Sequence, residues 1–108
     1  MFNIHEIEKN VGFLANLLKV LSNEKRLMIV CALYEGEKSV GALEEVVGLS
    51  QSALSQHLAR LRHDKIVNTR RVAQTIFYSL NDLATQKLLE SLGDLYPKPQ
   101  VRLQAARS

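Results

Sequence analysis

The chain lacks the sequence features that define disulfide-bonded, membrane-spanning, secreted and catalytic proteins. Its 108 residues include one cysteine, Cys31, which excludes an intramolecular disulfide. No apolar run approaches the ~20 residues of a membrane-spanning helix, and the polar, acidic opening MFNIHEIEKN predicts no signal peptide. We find no nucleophile paired with a base, no glycine loop for phosphates and no cluster of metal ligands, which argues against an enzyme or a metal cofactor. These absences together predict a cytoplasmic protein without a membrane partner.

The residues that are present indicate one domain with an uneven distribution of charge. A length of 108 residues suffices for one hydrophobic core but not for two. The net charge is only +3, yet residues 50–80 carry five Lys or Arg against one Asp, a balance of +4. Positive charge therefore collects in the middle of the chain, as binding to a phosphate backbone requires, although a solvated basic surface would give the same balance.

Residues 50–64, SQSALSQHLARLRHD, predict a helix with two different faces. Leu54, Leu58 and Leu61 form an apolar stripe at helical spacing, and Ser50 is a good N-cap. The other face carries amides, hydroxyls and basic groups, which match the donors and acceptors that base edges present in the major groove. Plain surface helices have such faces too, so the flanking segments decide between the two interpretations.

The segment before this helix completes a helix-turn-helix pattern. Ser39 is placed to cap a short helix over residues 40–47, and Gly48 ends it. A short helix, a turn containing glycine and a second helix are typical of proteins that insert the second helix into the major groove.

The segment after it predicts a β-hairpin. Residues 66–72 and 75–80 are rich in β-branched and aromatic residues, with Ala73 and Gln74 between them in place of the usual Asn-Gly turn. Arg70 and Arg71 lie just before the tip. Such a basic hairpin would be a wing that lies along the DNA backbone or in the minor groove.

Apolar residues also repeat at helical spacing near both ends of the chain. The first seam, with Asn3 as its cap, consists of Ile4, Ile7, Val11, Leu14, Leu18 and Leu21. The last helix, capped by Asn81 or Asp82 and ended by Pro97, carries Leu88, Leu89, Leu92, Leu95 and Tyr96. Such a seam can pack on the chain's own core or on a second subunit. We expect the second, because the other helices have apolar faces that satisfy one another.

A further helix is predicted over residues 23–34, with Asn23 as its N-cap and with Leu27, Val30, Cys31 and Tyr34 facing inward. On that stripe Cys31 would be a buried, inert thiol. The alternative is a sensing thiol, whose partner would have to come from outside the subunit because the chain has no second cysteine.

The predicted order of elements is α-α-α-α-β-β-α, a mainly helical winged helix-turn-helix with a small β-hairpin wing. Residues 1–96 would form the DNA-binding and dimerisation domain, with the dimer built from the first and last helices. Residues 97–108 would form a flexible tail.

Several motifs resemble the ArsR/SmtB family of bacterial winged-helix repressors. They are LSNEKRL, SVGAL, LSQSALSQHLARLR and TRRVAQTIFYSL, and the resemblance covers about residues 13–96. GLSQSALSQHL and AQTIFYSL are most similar to the branch that contains the rhizobial nodulation repressor, the biofilm growth-associated repressor and the haemolysin activator. The resemblance implies a homodimer that binds an imperfect inverted repeat in promoter DNA, usually as a repressor.

The resemblance also shows where this chain departs from members that sense a signal. Metal-sensing members have thiolate or imidazole ligands where this chain has Ser39, Ala84 and Leu95, so we expect no metal inducer. Thiol-sensing members pair a cysteine in the second helix, which Cys31 matches, with one near the end of the last helix, where Pro97 stands. A thiol response through Cys31 stays open as an alternative, as does a winged helix used for protein–protein contact.

Two sets of candidate functional residues follow. The set for contact with double-stranded DNA is Ser50, Gln51, Ser52, Ser55, Gln56, His57, Arg60, Arg62, Arg70, Arg71, Gln74 and Thr75. The set for dimerisation is Ile7, Val11, Leu14, Leu18, Leu88, Leu92 and Leu95. In such a dimer the two groove-binding helices would lie about one helical turn of DNA, ~34–36 Å, apart.

Overall fold

A computed structural model describes residues 2–95. Its elements are α1 (Ile4–Lys9), α2 (Val11–Leu21), α3 (Glu24–Tyr34), β1 (Lys38–Ser39), α4 (Val40–Val47), α5 (Gln51–His63), β2 (Val67–Val72), β3 (Thr75–Leu80) and α6 (Leu83–Gly93). The winged helix-turn-helix is confirmed, with α4 and α5 as its two helices and β2–β3 as its wing. No helix in this range is long and apolar enough to span a membrane. The predicted tail, 97–108, and the boundary at 96 lie outside the described residues and stay predictions.

Polar side chains begin five of the helices. Each accepts a hydrogen bond from a backbone N–H of the first turn, which would otherwise lack a partner. The capping residues are Asn3, Asn23, Ser39, Ser50 and Asp82. All five were predicted from sequence, Asp82 as one of two candidates, because capping depends only on residues that are neighbours in the chain.

The order predicted from sequence needs two corrections. The N-terminal seam is not one helix, because the chain leaves helical geometry at Asn10, which separates α1 from α2. The Asn10 side chain donates to the Glu6 carbonyl at 2.9 Å, and such local bonds compete with helix formation. The second correction is β1, whose two residues pair with β3 and extend the hairpin to a three-stranded antiparallel sheet in the order β1-β3-β2.

The core lies where α3 packs among α2, α4, α5, α6 and the sheet. Its α3 face consists of Ile29, Val30, Ala32 and Leu33. The inward stripe predicted from sequence was therefore wrong in two of its four residues: Val30 is buried and Leu27 is partly buried against the core, but Cys31 and Tyr34 are exposed. A helix surrounded on several sides buries a wider face than spacing along one stripe indicates.

The seam residues of α2 face outward in the protomer. The side of α2 that enters the core carries Leu17, Val20 and Leu21, so only the last seam position is buried. Val11 and Leu18 are each 57% exposed. The chain's own core therefore leaves this apolar face of α2 uncovered, which makes it a candidate interaction surface.

The C-terminal end of α5 has the hydrogen bonds of a Schellman motif. The N–H of Ile66 donates to the Leu61 carbonyl and the N–H of Lys65 donates to the Arg62 carbonyl, both at 3.0 Å. Lys65 has φ +59°, a left-handed conformation that glycine adopts more readily than any residue with a Cβ. Lysine at this position therefore strains the backbone.

Replacing Lys65 with glycine should stabilise the fold. Relief of the left-handed conformation outweighs the greater freedom of glycine in the unfolded chain, and we expect a gain of about 0.5–1 kcal/mol in the free energy of unfolding. Urea denaturation of Lys65→Gly and Lys65→Ala measures the difference, since both variants lose the charge and only the alanine keeps the strain. A Lys65→Gly variant no more stable than Lys65→Ala would contradict this expectation.

Candidate nucleic-acid interface

The two faces of α5 have opposite environments. Leu54, Leu58 and Leu61 are at most 2% exposed. The front of the helix is exposed and carries Gln51, Ser52, Ser55, Gln56 and Arg62. The amphipathic helix predicted from sequence is thus confirmed, and its polar front is available to a ligand.

The wing lies beside this front, and two clefts separate them. Gln51 lines one cleft together with Gln74, Thr75 and Ile76 of the wing and part of α4. Ser55 and Arg62 line the other, opposite Tyr78. The structure therefore brings the front of α5 and the tip of the wing, which lie more than ten residues apart in the chain, to one surface.

Several side chains at this surface were not in the predicted set, among them Glu44, His63 and Tyr78. Glu44 lines the cleft with Gln51, and His63 and Tyr78 line the cleft with Arg62. Tyr78 also packs against the core. No spacing along the chain could have placed Glu44 beside the wing, because the contact depends on how α4 packs.

The two arginines of the wing have different surroundings. Both oxygens of the Glu37 carboxylate accept hydrogen bonds from Arg70, one from Nε and one from Nη2, each at 2.7 Å. Its guanidinium carbon lies 4.9 Å from the centre of the Phe77 ring. The hydrogen bond from Arg70 also holds the pKa of Glu37 below its usual range. The Glu37 carboxylate therefore largely neutralises the charge of Arg70.

Arg71 belongs to the opposite face of the sheet, because successive side chains of a strand alternate. It pairs in register with Ile76, which lines a cleft beside α5. Arg71 is exposed, and within residues 2–95 its side chain makes no ion pair or hydrogen bond. Its charge is thus accessible to an anion on the same side as α5.

Two candidates on α5 are partly engaged within the protein. The Nε of Arg60 lies 2.8 Å from an Asp64 oxygen, and its side chain is 39% exposed. His57 is half-buried, and burial, followed by the charge of Arg26, lowers its pKa. His57 therefore favours the neutral form and packs toward α3, although it was predicted as a candidate for contact with DNA.

The remaining candidates lie away from this surface. Of the residues predicted for dimerisation, three are exposed, Val11, Leu18 and Leu95. The other four are partly buried: Ile7, Leu14, Leu88 and Leu92. Cys31, although exposed, lines a cleft with Tyr34, Leu89 and Glu90, and its partial burial there raises the pKa of its thiol. Within the described range no three His, Cys, Asp or Glu side chains are arranged to hold a metal ion.

Comparison with known proteins gives consistent matches. A family model described as bacterial regulatory protein, arsR family, matches residues 23–69. The transcriptional activator HlyU of Vibrio cholerae is 51% identical over 94 residues, covering 87% of each chain. The nodulation protein NolR of Rhizobium meliloti is 48% identical over 84% of this chain and 75% of its own. The crystal structure of the transcriptional repressor BigR from Xylella fastidiosa has a TM-score of 0.84 at 44% identity, covering 89% of this chain and 98% of that one.

We expect Arg71 to contribute more to DNA affinity than Arg70. Each phosphate contact adds about one unit to the slope of log K against log salt. Arg71→Ala should therefore lower the magnitude of the slope by about one for each protomer bound to the duplex, and Arg70→Ala by much less, because Glu37 already neutralises Arg70. Fluorescence anisotropy with a labelled duplex across a sodium chloride series measures both slopes.

The variant Glu37→Gln provides the matched control. Without the carboxylate, the charge of Arg70 is no longer neutralised, so Arg70→Ala should lower the magnitude of the slope by more in that background than in the otherwise unchanged protein. Equal slope losses from Arg70→Ala and Arg71→Ala in the otherwise unchanged protein would contradict the assignment.

Proposed function

Since the chain belongs to the ArsR family of bacterial regulatory proteins and is a DNA-binding transcription regulator, we propose that it binds promoter DNA as a homodimer through α5 and the wing. The operator is an imperfect inverted repeat, and occupying it excludes polymerase, so that repression is the main outcome. The observation that carries this proposal is the exposed polar front of α5 beside the accessible charge of Arg71. A regulator of this kind acts in the cytoplasm, where bacterial DNA is found.

The front of α5 supplies the contacts to base edges. The amides of Gln51 and Gln56 can pair with adenine, and the hydroxyls of Ser52 and Ser55 can pair with several bases. The Ser50 hydroxyl already accepts from the Ala53 N–H at 3.3 Å, which leaves it a smaller part in base contact. Because amides and hydroxyls adapt to different donors and acceptors, the protein tolerates degenerate sites.

The wing and the end of α5 supply the contacts to phosphate. Arg62 and Arg71 carry the accessible charge, and Gln74 and Thr75 at the exposed tip can donate to the backbone. Arg60 contributes through the part of its guanidinium that Asp64 leaves accessible. These contacts fix the register of the protein on the duplex, while α5 contacts the bases.

The homodimer is supported by the apolar residues that the protomer leaves uncovered. Val11 and Leu18 on α2 are exposed, as is Leu95, two residues beyond the end of α6. Ile7, Leu14, Leu88 and Leu92 are partly buried beside them. A second copy that covers these residues removes apolar surface from water, at roughly 25 cal/mol per Å².

A thiol response through Cys31 is less well supported. The thiolate is the reactive form of cysteine, and burial raises the pKa of this thiol and so reduces its thiolate fraction at neutral pH. The position where thiol-sensing relatives would place a second cysteine is Pro97 in this sequence. The observed side chains therefore support regulation by occupancy of the operator better than they support a thiol response.

Removing two side chains from the front of α5 tests the contact with bases. An operator is first selected from random duplexes with the purified protein. The double variant Gln51→Ala, Ser55→Ala should then bind that operator at least about tenfold more weakly, since a good side-chain pair with a base is worth about 1–3 kcal/mol. Fluorescence anisotropy measures the affinity.

Non-specific binding is the internal control for this experiment. The two side chains are neutral and exposed, so affinity for an unrelated duplex and the thermal melting curve should not change. Operator affinity equal to that of the unchanged protein would exclude α5 as the groove-binding helix.

A charge on the uncovered face of α2 tests the dimer. Leu18→Glu should produce folded monomers, because the side chain is 57% exposed in the protomer and contributes little to its core. Operator affinity should fall about a hundredfold or more, since one half-site loses the linkage to the other. Sedimentation equilibrium and circular dichroism measure assembly and folding, with Lys19→Glu on the same helix as control. A Leu18→Glu protein that stays dimeric would contradict the proposed interface.

A further inference from the structure

The turn that joins α5 to β2, residues 64–66, accepts hydrogen bonds from two elements that are distant in the chain. Asp64 is the C-cap of α5, Lys65 is left-handed, and Ile66 is 2% exposed. The hydrogen bonds that reach this turn come from α2 on one side and from the residue that precedes the cap of α6 on the other. We call residues 64–66 the α5–β2 turn.

The link to α2 passes through Asp64. The Asn16 side chain on α2 donates to one Asp64 oxygen at 3.0 Å, and Arg60 on α5 donates to the other at 2.8 Å. The Asp64 side chain is only 12% exposed. The hydrogen bond from Asn16, followed by that from Arg60, holds the pKa of Asp64 below its usual range. One carboxylate thus joins the dimerisation helix to the last turn of the groove-binding helix.

The link to α6 passes through Asn81, the residue before the Asp82 cap. The Asn81 side chain donates to the Lys65 carbonyl at 3.0 Å, and its backbone N–H donates to the Ile66 carbonyl at 2.9 Å. The oxygen of the same side chain accepts from Asn68 of β2 at 3.0 Å. The start of α6 therefore has a fixed position relative to the end of α5.

These links fix the orientation of α5 relative to α2 and α6, the helices that would form the dimer interface. The Schellman motif fixes the α5–β2 turn to its own helix, and Asn16 and Asn81 fix the turn to α2 and α6. Tilting α5 relative to the dimer interface would break bonds to a mostly buried carboxylate and to two backbone carbonyls. Bonds to charged groups are the stronger ones, so this tilt is opposed.

We propose that Asn16 and Asn81 are positioning residues that set the half-site spacing the dimer accepts, by holding the α5–β2 turn against α2 and α6. The inference rests on the proposed function, because it requires a dimer that binds two half-sites. Adding one base pair between half-sites moves them apart by about 3.4 Å and rotates one by about 35°. A dimer with fixed α5 helices accommodates that change poorly.

The test compares affinities for operators whose central spacer is unchanged, shortened or lengthened by one base pair. The unchanged protein should favour one spacing strongly. In Asn16→Ala and in Asn81→Ala the ratio of affinities between the best spacing and its neighbours should fall about fivefold to tenfold, as the loss of one hydrogen bond to a charged or backbone partner implies. Preference for base sequence within each half-site should stay the same, because the front of α5 is unaltered.

Two further variants separate positioning from stability. Asn16→Gln keeps an amide that can donate to Asp64 and should restore the preference for one spacing. Lys19→Ala removes another exposed polar side chain of α2 and should leave the preference unchanged. Sedimentation equilibrium on each variant confirms that it is still a dimer.

The outcomes are distinct. A spacing preference that both Asn16→Ala and Asn81→Ala retain would overturn the inference, and so would an equal loss of affinity at every spacing, which indicates lower stability alone. An unchanged protein that binds no inverted repeat would overturn the proposed function itself.

Discussion

The burial of Leu54, Leu58 and Leu61 beneath α5 decides which side chains this protein offers to a ligand. All three are at most 2% exposed, and burying one leucine side chain is worth about 1.5–3 kcal/mol. Rotating α5 by one residue would expose this stripe, so the amides and hydroxyls of Gln51 and Ser55 must face solvent. The hydrophobic core thus fixes the orientation of the DNA-binding face, and the wing and α4 only complete its border.

Internal ion pairs then select which positive charges are accessible. Asp64 pairs with Arg60 and Glu37 pairs with Arg70, whereas Arg62 and Arg71 are exposed beside the clefts that border α5. The basic segment is therefore less basic toward DNA than its composition indicates. The paired arginines instead connect elements of the fold. Arg70 joins the wing to the residue before β1, and Arg60 binds the carboxylate that connects α5 to α2.

Features that depend on chain neighbours could be predicted from the sequence. Capping by Ser39 and Ser50, the turn at Gly48 and the hairpin all follow from local residue types, and together they give the fold and the front of α5. Contacts between distant residues could not be predicted: Arg70 and Glu37 are 33 positions apart, and Asn16 and Asp64 are 48 apart. The exposure of Cys31 was missed for the same reason, since it depends on which elements surround α3.

Dimethyl sulfate protection on a selected operator tests the central claim most directly, because this reagent methylates guanine N7 in the major groove and adenine N3 in the minor groove. Two α5 helices related by a two-fold axis should protect guanines in two clusters whose centres lie about 10–10.5 base pairs apart. A single cluster of protected guanines, or protection confined to adenine N3, would contradict the account of a dimer that places its α5 helices in successive major grooves.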